Sequence, residues 1–300
     1  MDFKTEAEKV CPEKIFVEEP LKKRTTAGLG GKARYFAEVK SLYSLNVLTN
    51  LARDKRVPYL VIGHGSNILV SDKGFRGLVV SVTKLTDVFL KKDGVYAACG
   101  VSLFSLYKFA RGNKLSGAEE FADIPGTVGG AVKMNAGAFG KSVSDNLIYA
   151  ETLYKGKIVK RDKSDLGLGY RKSSLRKGEI VLSATFSFTR AKLSEIERKR
   201  SECLERRRLS QPFGRGFGSV FKNPVCGGKK LFAAELIEKA GLKGYASGGA
   251  SVSVKHANFF ALEQNASAAD VYKLIQDIKA MVKDKFGITL KEEVELVGEF

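Results

Sequence analysis

Residues 124–140 read IPGTVGGAVKMNAGAFG, and the fold turns on why Gly126, Gly129, Gly130, Gly137 and Gly140 crowd one apolar stretch. Glycine without a side chain lets backbone approach a neighbour closely. One reading has Pro125 opening a short helix whose N-terminus faces a phosphate. Gly126, Gly129 and Gly130 would then bring backbone donors to a ligand. The other reading is close helix–strand packing through small residues.

A second glycine loop stands upstream. GHGSN (63–67) follows the apolar run YLVIG, which Pro58 opens, and precedes ILVSD. Successive backbone N–H groups in such a turn cradle an anion, with Ser66 and Asn67 adding side-chain donors. The loop lacks the G-x-G-x-x-G spacing, and ILV reads as a strand where a dinucleotide fold would start a helix, which disfavours that fold. Two such loops, each after a strand, together favour a diphosphate-containing cofactor.

Around these loops the pattern mixes helix and strand. SLYSLNVLTNLARDKR carries Leu42, Leu45, Leu48 and Leu51 at helical spacing. Asp93-Gly94 between apolar alternations signals a hairpin, and Ser102 an N-cap for LFSLYKFARG. Strands are expected at IYAETLYKGKIVKRD and EIVLSATFSFTR. A charged helix follows at 193–209, then AAELIEKA, stopped by Gly241. SVSVKHANFFAL reads as one strand. Ser267 and Gly287 bracket a last long helix, and ITLKEEVELVG closes as a strand. The fold class is α+β, with a change of character near residue 190.

A chain of 300 residues, 44% hydrophobic and 28% charged, has ample material for a core and no run long enough to span a membrane. The polar, acidic start MDFKTEAEKV is unlike a secretory signal, so a cytoplasmic protein is expected. Cys11, Cys99, Cys203 and Cys226 form no C-x-x-C pair and fit no zinc site, so no metal is expected. The net charge of +18 favours anionic partners such as nucleotide sugars and dinucleotides. The basic run 197–212 has Glu197, Glu202 and Glu205 interleaved and reads as a solvated helix face, not a nucleic-acid site. Nothing in the sequence fixes an oligomeric state.

The stretch GSVFKNP (218–224) poses a separate question. A hydrolase serine sits in G-x-S-x-G with a histidine base, but Phe221 stands where that turn needs glycine. Ser219 is therefore a plain loop serine or a group with a less common task.

These stretches, with TTAGLGGKA, LGYRKSSLR, AAELIEKAGLKGY, SVKHANFFAL and LKEEVELVG, resemble the UDP-N-acetylenolpyruvoylglucosamine reductase family over roughly residues 24 to 298. The resemblance is to the shorter variant, without a tyrosine-bearing flap in 191–300. It implies a flavin-binding fold of the vanillyl-alcohol-oxidase type, with FAD bound non-covalently. Residues 1–80 and 81–190 would be the FAD-binding subdomains and 191–300 the substrate domain, its last strand packing back near the flavin. Gly63, His64, Gly65, Ser66 and Asn67 would line the FAD diphosphate together with Pro125, Gly126, Thr127, Gly129 and Gly130. Asn135, Ala136 and Gly137 would lie near the flavin.

The implied reaction uses NADPH to reduce FAD, whose N5 then gives hydride to C3 of the enolpyruvyl group of the UDP-sugar. Negative charge builds at C2 and the adjacent carboxylate. The resemblance makes Arg171 the group that holds this charge, Ser219 the proton donor to C2 and Glu293 a third catalytic residue. Tyr170, Lys222, Asn223 and His256 would contact the substrate. Three positions depart from the family pattern: Thr25 before Thr26, Ser251 in GGASVS, and Glu295 after Glu293-Val294. Two other readings stay open: a different flavin oxidase of the same fold, with flavin linked through His64, and a basic nucleotide-binding protein without catalysis.

Overall fold

The long-range hydrogen bonds of the segment 65–76 decide how the chain divides. In a computed structural model that describes residues 2–300, the chain forms two units. The first holds the N-terminal residues up to Val17, then Tyr35–His64 and Gly77–Glu205; the second holds Glu18–Arg34, Gly65–Arg76 and Arg206–Phe300. This differs from the expected sequential division at 80 and 190. Asn67 bonds Glu293, Ser71 bonds Glu299, and Asp72 bonds the amides of Ala268 and Ala269, so an early segment belongs with the C-terminal third.

The first unit carries helices α1 (Phe3–Val10), α2 (Leu42–Asp54), α3 (Leu103–Gly112), α4 (Val128–Met134), α5 (Val143–Asn146) and most of α6 (Leu193–Ser210). Ser41 caps α2 by accepting the Ser44 N–H at 3.0 Å, and Leu45, Leu48 and Ala52 are buried at helical spacing. Ser102 caps α3 in the same way. Five antiparallel strands form one sheet, in the order Lys157–Asp162, Leu147–Tyr154, Ile180–Phe186, Gly94–Ala98, Val88–Lys91. Ile180–Phe186 is buried along its whole length, as its near-continuous apolar run requires, and α4 packs on it. Lys91 pairs with Gly94, so the hairpin expected at Asp93-Gly94 turns on Lys92-Asp93. The charged α6 buries only Ile196 and Cys203; Arg200 forks onto Asp123 at 2.6 and 2.7 Å.

In the second unit α7 (Ala233–Lys239) and α8 (Ala268–Phe286) pack together, and α8 also packs on a three-stranded sheet. Val271, Leu274, Ile275, Ile278 and Val282 form the buried stripe of α8. Ser267 and Asp270 close a capping box at its start, and Gly287 ends it in the left-handed conformation. The segment expected as one strand, SVSVKHANFFAL, is a hairpin: Ala250–Val252 pairs antiparallel with Phe260–Leu262, and residues between them turn. The expected C-terminal strand shortens to Glu295–Val297, which pairs parallel with Ile68–Val70 just after the glycine loop.

Candidate active site

Glycine loops first. In the first unit, a Cβ at Gly63 would fall 2.2 Å from Thr127 Oγ1, so the two glycine-rich segments meet there and glycine is required. Pro125 does not open α4; Thr127 is the N-cap, extended at φ −111° and ψ 159° and paired with Ser102 in an isolated β-bridge. The amides at the start of α4 are already engaged: Val128 donates to Val101 and Gly129 to Cys99, both at 2.9 Å. A Cβ at Gly129 would meet Cys99 Cβ at 2.9 Å, whereas at Gly130 the nearest atom is Thr127 Oγ1 at 3.9 Å. Gly129 thus serves helix–strand packing, and Gly130 is the glycine with open space.

Free donors stand in GHGSN instead. In the second unit, the amides of Gly65, Ser66 and Asn67 and the Ser66 hydroxyl donate to no acceptor among the described residues. Such a run of unpaired N–H groups is the donor set a diphosphate takes, so these residues fit FAD. Burial holds the His64 imidazole below its usual value.

Asn135 ends α4 at φ 43°, and its side chain ties two loops: Nδ2 donates to Gly169 O at 3.0 Å and Oδ1 accepts the Ser144 N–H at 3.0 Å. Gly169 is the residue before Tyr170-Arg171. Arg171 Nη2 in turn donates to Gly137 O at 2.8 Å, and its guanidinium lies 5.3 Å from the Tyr170 ring centre. Arg171 also adopts φ 53°, a left-handed backbone that residues with a Cβ rarely take. Asn135 and Gly137 thus both hold the 169–171 segment by hydrogen bonds, Tyr170 joins through its ring contact with Arg171, and Ala136 is engaged through its backbone with Ala131 and Val143.

In the second unit Gly218 takes φ 75°, which explains the glycine before Ser219. The next residue, Val220, accepts the Glu293 N–H at 2.7 Å, and Phe221 bridges Glu292. Two residues expected to act together, Ser219 and Glu293, thus lie on adjoining backbone. Glu292 is occupied otherwise: Lys279 Nζ bonds its carboxylate at 2.6 Å. Asn223 Oδ1 accepts the Ala233 N–H at 3.0 Å at the start of α7. Lys222 donates its amide to Lys291 O at 2.8 Å. His256 sits in the 253–259 turn, its ring edge-on to Phe259 at 4.6 Å.

Sequence reasoning missed Asn258. It is buried, and its side chain grips Phe221 at both N–H and C=O. An asparagine inside an apolar run was the available signal, since a buried amide needs partners. Also in the second unit, a cavity of about 630 Å³ is lined by Lys22, Lys32, Arg34, Lys73 and Arg76 together with Glu18 and Asp72. It includes none of the expected site residues. Among the described residues no His, Cys, Asp and Glu cluster could hold a metal ion, and no helix is long and apolar enough to cross a membrane.

Residues 33–161 match the FAD binding domain family, and residues 211–297 match the family described as UDP-N-acetylenolpyruvoylglucosamine reductase, C-terminal domain. With the donor set of 65–67, this makes the chain an FAD-dependent oxidoreductase of α+β fold. It is 39% identical over 289 residues to the UDP-N-acetylenolpyruvoylglucosamine reductase of Caldanaerobacter subterraneus subsp. tengcongensis, covering 95% of this chain and 94% of that one. The Geotalea uraniireducens enzyme of the same name is 42% identical, with 93% of each chain covered. The crystal structure of the Thermus caldophilus UDP-N-acetylenolpyruvylglucosamine reductase superposes with a TM-score of 0.80 at 33% identity, covering 95% of this chain and 99% of that one. The chain belongs to the UDP-N-acetylenolpyruvoylglucosamine reductase family, whose place is in peptidoglycan synthesis.

Proposed function

We propose that this cytoplasmic enzyme reduces the enolpyruvyl group of UDP-N-acetylglucosamine enolpyruvate to give UDP-N-acetylmuramate, with NADPH as co-substrate. FAD, held non-covalently with its diphosphate on the amides of Gly65, Ser66 and Asn67, would supply the hydride chemistry between NADPH and C3 of the substrate. The residues of this chain have two further tasks at the substrate: to hold the charge that grows on the carboxylate and to protonate C2.

Arg171 meets the first need. Its guanidinium stays charged and its fork matches a carboxylate, and fixed positive charge at a developing anion commonly contributes roughly 3 kcal/mol. The bond to Gly137 O and the stacked Tyr170 restrict the side chain in advance. Ser219 meets the second. A hydroxyl is a poor acid toward water, yet carbanion-like C2 is a strong enough base to take its proton. Lys222 or water returns that proton to the serine. No histidine partner is required, because the serine is never a nucleophile. Glu293 polarises the substrate or relays the proton, and Tyr170, Asn223 and His256 shape the sugar site.

The single observation that supports this reading is the 2.7 Å bond from Glu293 N–H to Val220 O, which joins the backbone of Glu293 to the residue after Ser219. The test is rapid mixing without oxygen, each half-reaction run alone. Ser219→Ala is expected to keep flavin reduction by NADPH near wild type. Reoxidation by the UDP-sugar should slow at least ~10²–10⁴-fold, the range of general-acid losses. Normal reoxidation in that variant would return Ser219 to an ordinary loop serine.

A further inference from the structure

We propose that Asn258 is a positioning residue for the proton donor: its side chain takes the place of a neighbouring β-strand and fixes the backbone that carries Ser219. The inference rests on the reading of Ser219 given above.

The geometry is specific. Asn258 Oδ1 accepts the Phe221 N–H at 2.9 Å, and Nδ2 donates to the Phe221 carbonyl at 2.8 Å. A carboxamide presents one donor and one acceptor side by side, as a peptide group does, so one side chain replaces one rung of a ladder. The Asn258 carbonyl adds a third bond, accepting the Val220 N–H at 2.9 Å. Val220 is then held at both ends, since its own carbonyl accepts Glu293 N–H. Asn258 is 3% exposed and Phe221 fully buried, so water does not compete for these groups.

The residue before this clamp is Ser219, and the one before that, Gly218, is the most permissive residue for backbone rotation. Without the clamp the backbone after Ser219 would be held at the Val220 carbonyl alone, by the Glu293 N–H. Asn258 itself is oriented by His256, whose Nδ1 accepts the Asn258 N–H at 3.2 Å. The 253–259 turn, which interrupts what the sequence presents as a strand, thus delivers an amide to the catalytic loop.

Placement matters because a misalignment of about 1 Å can cost on the order of 10²-fold in rate. Asn258→Ala removes both side-chain bonds. Reoxidation of reduced flavin by saturating UDP-sugar should slow about 10- to 100-fold, while flavin reduction by NADPH stays within about twofold of wild type. The solvent deuterium isotope effect on reoxidation should rise, as proton transfer becomes more limiting. Hydrogen exchange of the Val220 and Phe221 amides, read on the FAD-loaded protein without substrate, should quicken. In a Ser219→Ala background the same substitution should add little, since Asn258 acts through Ser219.

Asn258→Asp keeps the acceptor and the shape and loses the donor; it should fall between wild type and alanine, and it replaces alanine should that variant not fold. Equal slowing of both half-reactions, or a full additional loss in the Ser219→Ala background, would reduce Asn258 to a general structural residue and overturn the proposal. Reoxidation at the wild-type rate with both amides deprotected would do the same. A Ser219→Ala variant that itself reoxidises normally would instead sink the proton-donor reading, and the two failures are read from different single variants.

Discussion

Asn67 holds the backbone of Glu293: Nδ2 donates to the Glu293 carbonyl across 2.9 Å, and the Asn67 carbonyl accepts the Glu295 N–H across 2.9 Å. A residue of the glycine loop therefore also anchors the segment that carries the expected third catalytic residue. Asn67→Asp would turn a donor into a negative acceptor facing a carbonyl. It should lower stability by about 1–3 kcal/mol, read by urea unfolding of the apoprotein. Unchanged stability would mean that the bond contributes nothing.

Gly129 and Gly130 should separate packing from cofactor binding. Alanine at 129 meets Cys99 Cβ at 2.9 Å and should destabilise the apoprotein by about 1–3 kcal/mol. Alanine at 130 has space and improves helix propensity, so the apoprotein should be as stable as wild type or more so. Should the open face of Gly130 lie against FAD, flavin affinity falls only in that variant without a loss of stability. Thermal melts and flavin fluorescence titration of both apoproteins give the comparison.

Arg171→Lys keeps a charge but loses the fork and the geometry of the bond to Gly137. Turnover should fall by about 10²-fold or more, with a much smaller change in KM. A rise in KM at constant kcat would make Arg171 a binding residue.

Burial holds His256 below its ordinary value of 6.5; its own backbone raises the value, nearby Lys243 lowers it and Glu238 raises it. The neighbouring Lys255 is drawn away to the Arg208 carbonyl. A depressed imidazole binds fewer protons folded than unfolded. Its contribution to stability is therefore complete above about pH 6.5 and is lost as the pH falls toward the folded value. Protonation at Nδ1 would also remove the acceptor for Asn258. Wild type should lose more stability between pH 7 and 5 than His256→Gln, measured by denaturant unfolding at each pH. Parallel pH profiles would show that His256 titrates alike in both states.

What the sequence revealed was chemistry that acts over a few residues. Ser102 and Ser267 announce helix starts because a hydroxyl satisfies an amide three positions on. Gly287 announces a stop because the left-handed turn favours glycine. Partners far apart in sequence stayed hidden. Nothing local to Gly129 tells that its neighbour is Cys99 and not a ligand. Pro125 looked like a helix opener because the bridge from Ser102 to Thr127 is invisible in one dimension. The hairpin in SVSVKHANFFAL carries no glycine or proline at its turn. There the Ser253 and His256 side chains make the bonds that a turn residue would otherwise supply, accepting the N–H groups of Lys255, His256 and Asn258.

The parallel pairing of Ile68–Val70 with Glu295–Val297 sets a schedule for synthesis on the ribosome. Asn67 meets Glu293 across 226 positions of chain, which at 5–20 residues per second takes roughly 10–45 s to make. Throughout that interval the Ile68–Val70 edge has no partner, and Asp72 waits for the helix it will cap. The second unit cannot finish folding until residues 293–297 have left the exit tunnel. A ribosome stalled near residue 290 would hold a chain with its final strand missing and an apolar strand edge open to chaperones or to a neighbouring nascent chain.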